Sequence, residues 1–154
     1  MPEVWVATEE DAETVTALMA GFRDHMGRSD PSTTNLRATI EELLHELDTE
    51  FLLATPDGQE EPAGICQLRY RLTVWTGAND CWLEDLFVEA EARRGGLGRA
   101  LVTAAFERAR ARGCRRIELD VDEDKTRALA FYRELGLTAE SKPPGRNLLV
   151  GRRL

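Results

Sequence analysis

A short segment rich in glycine and arginine carries the clearest chemical signal in this 154-residue sequence. Residues 93–98 read RRGGLG, follow an apolar strand-like run and precede a predicted helix. Glycines let backbone amides turn toward one point, and a helix N-terminus adds unpaired N–H donors and partial positive charge. The pattern predicts a site for phosphate or pyrophosphate, where Arg93, Arg94 and Arg99 add positive charge.

The spacing of this segment separates it from two familiar phosphate-binding loops. Gly95, Gly96 and Gly98 do not have the GxGxxG spacing of dinucleotide-binding folds, and no Gly-Lys-Ser/Thr follows them. An ordinary glycine-rich turn with solvated arginines, or an unrelated phosphate-binding α/β protein, stays open as an alternative.

Two motifs in order make the sequence resemble the GNAT superfamily of N-acetyltransferases. The family pattern is Arg or Gln, two residues, Gly, one residue, then Gly or Ala, and residues 93, 96 and 98 match it. A later segment, TRALAFYRELGL, resembles the second family motif. The matching positions there are Ala128, Phe131, Tyr132 and Gly136. The resemblance is strong over residues 82–137; elsewhere only the order of elements agrees.

The resemblance implies acetyl-CoA as co-substrate. In the family, the loop holds the pyrophosphate and the preceding strand binds the pantetheine arm through its backbone. The implied cofactor-binding residues are Leu86, Phe87, Val88, Arg93, Arg94, Gly95, Gly96, Leu97, Gly98 and Arg99. Many members have Asn where this chain has Lys125, so Lys125 either meets a cofactor phosphate or is a solvated lysine at a helix start.

Tyr132 is the candidate for protonating the leaving group. When an amine attacks a thioester, the departing thiolate needs a proton or a hydrogen bond, which a phenol can supply. The resemblance places Tyr132 at the sulfur. The alternative is a helix tyrosine that packs its ring in the core.

Glu84 is the candidate for handling the proton of the acceptor amine. A lysine-like ammonium titrates near ~10.4, so its proton must leave before attack. Glu84 and Asp85 lie in the strand-like run CWLEDLFV, where alternation predicts that at most one of them faces the site. LEDLFV resembles the diamine and polyamine acetyltransferase branch. We therefore expect Glu84 to act as base or water-orienting group, with Asp85 second; a solvated edge-strand carboxylate is the alternative.

Other polar residues give weaker signals. Asp24 and His25 end the first predicted helix, where this fold usually builds its acceptor pocket, although a surface helix end is the favoured explanation. The three cysteines at positions 66, 81 and 114 are far apart, without a CxxC pair, and are predicted to be small core residues. No metal site or disulfide framework is expected, and a reducing compartment fits.

The charge distribution is uneven. The net charge is −8, with 5 basic and 19 acidic residues (net −14) in residues 1–90 and 15 and 9 (net +6) in residues 91–154. The acidic balance argues against nucleic-acid binding over the whole surface. A functional partition would pair an anionic cofactor with the second half and a cationic acceptor with the first. A randomly speckled surface is the alternative.

The elements that must position these residues alternate along the chain. Strand patterns fall at VWVA, FLLAT, GICQLRYRLTV, CWLEDLFV, RRIELDV and NLLVGRRL. Helical periodicity follows Thr8, runs from about Thr33 to Leu47, from Gly98 to Arg112, and over TRALAFYREL. The order predicts one mixed, mostly antiparallel sheet of about six or seven strands with helices on both faces. The resemblance implies that this α/β (α+β mixed) architecture is the GNAT fold.

These patterns predict one domain over residues 1–154, without a membrane span, in the cytoplasm. The function expected is N-acetyl transfer from acetyl-CoA to a primary amine, with a small cationic amine favoured. A protein or peptide N-acetyltransferase and a non-catalytic acyl-CoA-binding sensor are the alternatives. Homodimers are common in the family, so a homodimer is compatible with the resemblance.

Overall fold

A computed structural model describes residues 1–139 and 148–154. These residues form two compact units, Met1–Asp120 and Val121–Leu154, and each is described by itself. The predicted turn at Pro143, Pro144 and Gly145, and the first residue of the predicted final strand, Asn147, lie outside the described residues. The single domain over the whole chain stays a prediction.

The first unit contains a sheet and three α-helices. Its strands are β1 (Glu3–Val6), β2 (Thr49–Thr55), β3 (Gly64–Thr73), β4 (Ala78–Val88) and β5 (Ile117–Glu118). Its helices are α1 (Ala12–His25), α2 (Thr33–Leu43) and α3 (Leu97–Ala111). Short 3-10 helices at Glu9–Asp11 and Ala90–Ala92 lead into α1 and into the loop before α3. The Thr8 backbone N–H donates to Asp11 Oδ2 at 2.8 Å, which stabilises the first of these turns.

The sheet is mixed and mostly antiparallel, as the sequence predicts. Its order is β1-β2-β3-β4-β5, with antiparallel pairing throughout except between β4 and β5. The parallel pairing with β5 covers only Cys81 and Trp82 of β4. Within the described part of the chain, the edge of β4 from Leu83 to Val88 therefore has no strand partner on that side.

Helices cover both faces of the sheet, which confirms that prediction. On one face, Phe51 and Leu53 of β2 pack in a buried cluster with Val15 of α1 and Ile40 of α2. Strand alternation sends the intervening side chains to the other face, where α3 packs through Leu97 and Leu101. The first helix and α2 thus lie on one face and α3 on the other.

Three element predictions are corrected. The second helix ends at Leu43 rather than near Leu47, whose side chain is 88% exposed and so adds no buried surface to the helix. The strand predicted at RRIELDV is reduced to two residues. The described part of the predicted final strand, residues 148–154, has no regular structure and is exposed. The described residues therefore form five strands, not the six or seven predicted.

The second unit contains α4 (Thr126–Glu134), close to the predicted TRALAFYREL helix. It ends where Gly136 takes a left-handed φ of 86° and the Leu137 amide donates to the Tyr132 carbonyl at 2.9 Å. This arrangement is typical of a glycine helix stop.

Candidate functional site

The loop before α3 has the backbone geometry of an anion site. Arg94 and Gly96 both take left-handed φ values, 73° and 82°, just before the helix begins at Leu97. Gly96 is the N-cap and carries no side chain, so no side-chain cap occupies the first-turn amides of α3. Left-handed turns of this kind and an uncapped helix N-terminus both direct N–H groups toward a bound anion.

Arg93 has a structural contact that the sequence did not predict. Its Nε donates to the Val88 carbonyl at 2.9 Å, which holds the loop against the end of β4. Arg94 and Arg99 are exposed on the loop side of α3. The loop therefore follows directly from the strand end, as the sequence analysis expected.

A β-bulge interrupts β4 at Glu84. Gln67 of β3 pairs with Asp85, and its neighbour Leu68 pairs with Leu83, so Glu84 has no partner in the register. Directly opposed residues share a face, so Leu83 and Asp85 lie on opposite faces although they are two residues apart. The alternation that was expected to separate Glu84 from Asp85 does not hold here. The bulge therefore changes the direction of the backbone and of the Glu84 and Asp85 side chains just beyond Trp82, the last residue of β4 that pairs with β5.

The two carboxylates at the bulge differ in environment. Glu84 is exposed, whereas Asp85 is half-buried opposite the Gln67 side chain, which is 5% exposed. Burial raises the pKa of Asp85, and the nearby charge of Glu84 raises it further. A neighbouring cation stabilises the charged form of such a pair, because its attraction offsets the cost of burying a carboxylate and the repulsion between the two carboxylates.

Aromatic side chains from α1 lie over the same face of β4. The rings of Phe22 and Phe87 stack with centroids 5.3 Å apart, and the His25 ring lies 6.0 Å from that of Phe87. Phe87 and Asp85 share this face because they are two residues apart beyond the bulge. Asp24 instead forms an ion pair with Arg23 at 2.9 Å. The structure therefore brings His25 close to the Phe87 ring, which lies on the same face of β4 as Asp85, whereas Asp24 pairs with Arg23.

Tyr132 and Lys125 belong to the second unit. Tyr132 lies on α4, half-buried, with its ring centroid 5.1 Å from that of Phe131. Lys125 is the exposed N-cap residue of α4. The predicted roles of both residues stay predictions.

A buried polar cluster behind the sheet was missed by the sequence analysis. Glu50 of β2, whose side chain is 8% exposed, accepts two hydrogen bonds from Arg108 of α3 and one from the Tyr70 hydroxyl. Arg112 stacks over the Tyr70 ring at 4.1 Å. The signal available in the sequence was Glu50, a charged residue next to the apolar run that follows Thr49. Only the strand register shows which side chains Glu50 contacts.

The described residues contain neither a metal cluster nor a membrane-spanning helix. Among residues 1–139 and 148–154, no three His, Cys, Asp or Glu side chains are placed to hold a metal ion. No helix in those ranges has the length and apolarity needed to cross a bilayer. Cys66 and Cys81 are buried thiols in strands, as expected, whereas Cys114 lies after α3, outside any strand and partly exposed.

Comparisons with known proteins agree with this geometry. The model of the "Acetyltransferase (GNAT) family" matches residues 13–137. A solved structure from Arthrobacter sp. FB24, assigned as an acetyltransferase, is 33% identical with a TM-score of 0.83 and covers 100% of this chain and 96% of that one. An aminoglycoside acetyltransferase from an uncultured soil metagenomic sample shares the fold, with 19% identity, a TM-score of 0.77 and 97% coverage of both chains.

Curated relatives match over a shorter stretch. The thialysine N-ε-acetyltransferase of Sus scrofa is 35% identical over 81 residues, which cover 49% of this chain and 47% of that protein. The glucosamine 6-phosphate N-acetyltransferase of Trypanosoma brucei brucei is 37% identical over 60 residues, or 39% of each chain. The chain thus spans about half or less of the length of these relatives.

Proposed function

Because the chain belongs to the GNAT family of acetyltransferases, we propose that it transfers the acetyl group of acetyl-CoA to a primary amine, with a small cationic amine favoured. One observation carries this proposal: a strand edge without a partner in the described residues leads, through a short 3-10 helix and the glycine-rich loop, to an uncapped helix N-terminus. Acetyl-CoA fits both features in that order. Its pantetheine arm carries amide groups that can hydrogen-bond to a strand edge, and the adjoining pyrophosphate can bind at a helix N-terminus.

Cofactor binding is assigned to the strand end and the loop. The backbone of Leu86, Phe87 and Val88 binds the pantetheine amides, and the amides of residues 95–99 bind the pyrophosphate. Arg94 and Arg99 add positive charge at that loop. Arg93 holds the loop to the Val88 carbonyl, and its remaining guanidinium donors face the same anion. Lys125 is proposed to meet a further phosphate of the cofactor.

The reaction proposed is direct attack without a covalent enzyme intermediate. The amine nitrogen forms a bond to the thioester carbonyl carbon, and the carbon–sulfur bond then breaks. Glu84 accepts one proton of the acceptor ammonium, directly or through water. Tyr132 donates a proton to the departing CoA thiolate, and the second proton lost by the nitrogen restores the Tyr132 hydroxyl. The products are an N-acetylated amine and free CoA.

The preference for a cationic acceptor rests on the bulge. Asp85 lies on the same face of β4 as Phe87, whose ring stacks with that of Phe22, and Glu84 is its neighbour in the bulge. Carboxylates and aromatic rings both favour an ammonium ion. The acceptors named for the relatives differ, since one is thialysine and another glucosamine 6-phosphate. The proposal of a cationic acceptor therefore rests on Glu84 and Asp85 of this chain more than on the acceptors of its relatives.

Calorimetric titration with CoA tests the cofactor site without requiring an acceptor. We expect CoA to bind, and ATP and NAD at the same concentration not to compete, because neither carries a pantetheine arm for the edge of β4. Equal competition by ATP or NAD would contradict this assignment and favour a general phosphate-binding loop.

A further inference from the structure

Gly64 lies beneath the first two turns of α3. It opens β3 and pairs with Ala54 of β2 on one side and with Val88 of β4 on the other. A Cβ atom at position 64 would lie 3.0 Å from Leu101 Cδ1 and 3.2 Å from Leu97 Cδ2. The absence of a side chain at Gly64 therefore lets α3 approach the sheet more closely than any other residue would.

The two leucines can move aside only by displacing other buried atoms. Leu97 and Leu101 are fully buried, and Leu97 is the first residue of the helix, directly after the N-cap Gly96. Protein interiors are packed densely, so an added methyl group displaces its neighbours. The displacement required here is a few tenths of an ångström, and it falls on the helix turn that carries the anion-binding amides.

The anion site is sensitive to such a displacement because backbone amides form it. Amide donors move with the helix, whereas a long side chain could adjust its rotamer. Hydrogen bonds to an anion keep donor and acceptor about 2.7–3.2 Å apart and weaken as the geometry departs from that range. The depth of α3 on the sheet therefore sets the geometry of the site.

We propose that Gly64 is a positioning residue for the anionic part of the cofactor. Its missing side chain lets Leu97 and Leu101 seat the N-terminus of α3 where its amides meet the pyrophosphate. This inference rests on the proposed function, and it assigns a role in cofactor binding to a residue outside the recognised motifs.

The Gly64→Ala variant tests the inference. We expect the Kd for CoA and the KM for acetyl-CoA to rise about 5-fold, with kcat and the KM for the amine unchanged, because only cofactor contacts shift. Competition by pantetheine, which lacks the phosphates, should keep its wild-type inhibition constant. The Gly64→Ala/Leu101→Val double variant should regain part of the CoA affinity, because the shorter side chain relieves the contact at 3.0 Å and leaves the one with Leu97 at 3.2 Å. Gly151→Ala is the control, since a Cβ there meets no atom within 4 Å.

The outcomes separate this inference from the proposed function. A wild-type protein that binds no CoA contradicts the proposed function and, with it, this inference. If the wild-type protein binds CoA and Gly64→Ala binds it equally well, the inference alone is overturned. A matching loss of pantetheine affinity, or a double variant that regains no CoA affinity, overturns it too. Should Gly64→Ala fail to fold, the double variant is compared with Leu101→Val, and similar CoA affinity of those two supports relief of the contact.

Discussion

Glu84 and Asp85 are adjacent acids to which the strand bulge gives different surroundings. The register leaves Glu84 unpaired and exposed, whereas Asp85 is half-buried opposite Gln67. These surroundings fit the two proposed roles, in which Glu84 accepts the proton of the acceptor and Asp85 attracts its positive charge. Each role predicts a different kinetic change when the charge is removed.

The raised pKa of Asp85 predicts a pH dependence of acceptor binding. Burial and the Glu84 charge raise this pKa, so Asp85 takes up its proton at a higher pH than an ordinary aspartate. As the pH falls through that pKa, the negative charge is lost and the KM for a diamine should rise. Asp85→Asn should have a high KM at every pH and an unchanged kcat, while Glu84→Gln should lower kcat. Steady-state kinetics across pH measures both, with Glu61→Gln as an exposed control. Identical pH profiles for Asp85→Asn and wild type would refute this assignment.

The role of Tyr132 is tested by comparison with Tyr70, the other tyrosine of the chain. Tyr132→Phe removes the proposed proton donor, so kcat should fall about 100-fold while calorimetric CoA affinity is retained. Tyr70→Phe removes a hydroxyl bonded to Glu50 on the other side of the sheet from the acidic pair. It should lower stability and leave kcat close to wild type. Equal kcat in Tyr132→Phe and wild type would remove Tyr132 from the mechanism.

At the scale of elements, α3 depends on its two ends in different ways. Gly96 precedes it with φ 82° at the anion site, and Gly113 follows it with φ 72° and nothing near its Cβ position. Alanine at either position meets the same left-handed strain, about 1 kcal/mol. The strain is therefore matched, and only the position relative to the loop differs.

This matched pair predicts a difference in cofactor affinity. Gly96→Ala and Gly113→Ala should lower the free energy of unfolding similarly, as urea denaturation would measure. Only Gly96→Ala should weaken CoA binding in calorimetry, by about 10-fold, because it turns the loop amides away from the anion. A comparable loss of CoA affinity in Gly113→Ala would mean that helix stability, and not the loop, controls binding.

The cluster around Glu50 ties α3 to the sheet. Burial alone would raise the pKa of Glu50, but hydrogen bonds from Arg108 and Tyr70 outweigh it and lower the pKa. Stability from these bonds is therefore present at neutral pH and is lost as the pH falls through the lowered pKa. Glu50→Gln should cost about 2 kcal/mol at pH 7, less than a fully buried pair, because the Arg108 side chain is 39% exposed.

The pH trend provides the check. The difference in unfolding free energy between wild type and Glu50→Gln, from urea denaturation, should shrink as the pH falls from 4.5, the ordinary pKa of a glutamate, through the lowered pKa of Glu50. Glu41→Gln breaks the exposed pair with Arg37 and should lower the free energy of unfolding far less than Glu50→Gln does. A difference that grows on acidification would contradict the lowered pKa.

At the scale of the whole molecule, local patterns predicted most of the fold. Hydrophobic periodicity and turn residues placed α1, α3 and the first four strands to within a few residues, because each buries a regular apolar face. The end of α2 and the length of β5 were wrong, since tertiary contacts decide where a helix stops and how far two strands pair.

The site was predictable only where chemistry is local. The loop at residues 93–98 was visible because its glycines and arginines are contiguous. The bulge at Glu84, the seat of α3 on Gly64 and the Glu50 cluster were not, because each depends on the register between distant segments. Likewise, the −14 and +6 halves state an asymmetry, while the β4 bulge shows where two of the acidic residues lie.

Release of free thiol from acetyl-CoA by the purified protein tests the central claim most directly. Pools of polyamines, aminoglycosides, amino acids and short peptides are compared with an amine-free control. We predict that the polyamine or aminoglycoside pool accelerates thiol release and that the others do so less. Acceleration by short peptides alone would contradict the small cationic acceptor. No acceleration by any pool, with CoA bound in calorimetry, would contradict acetyl transfer to these amines and favour a non-catalytic acyl-CoA-binding domain.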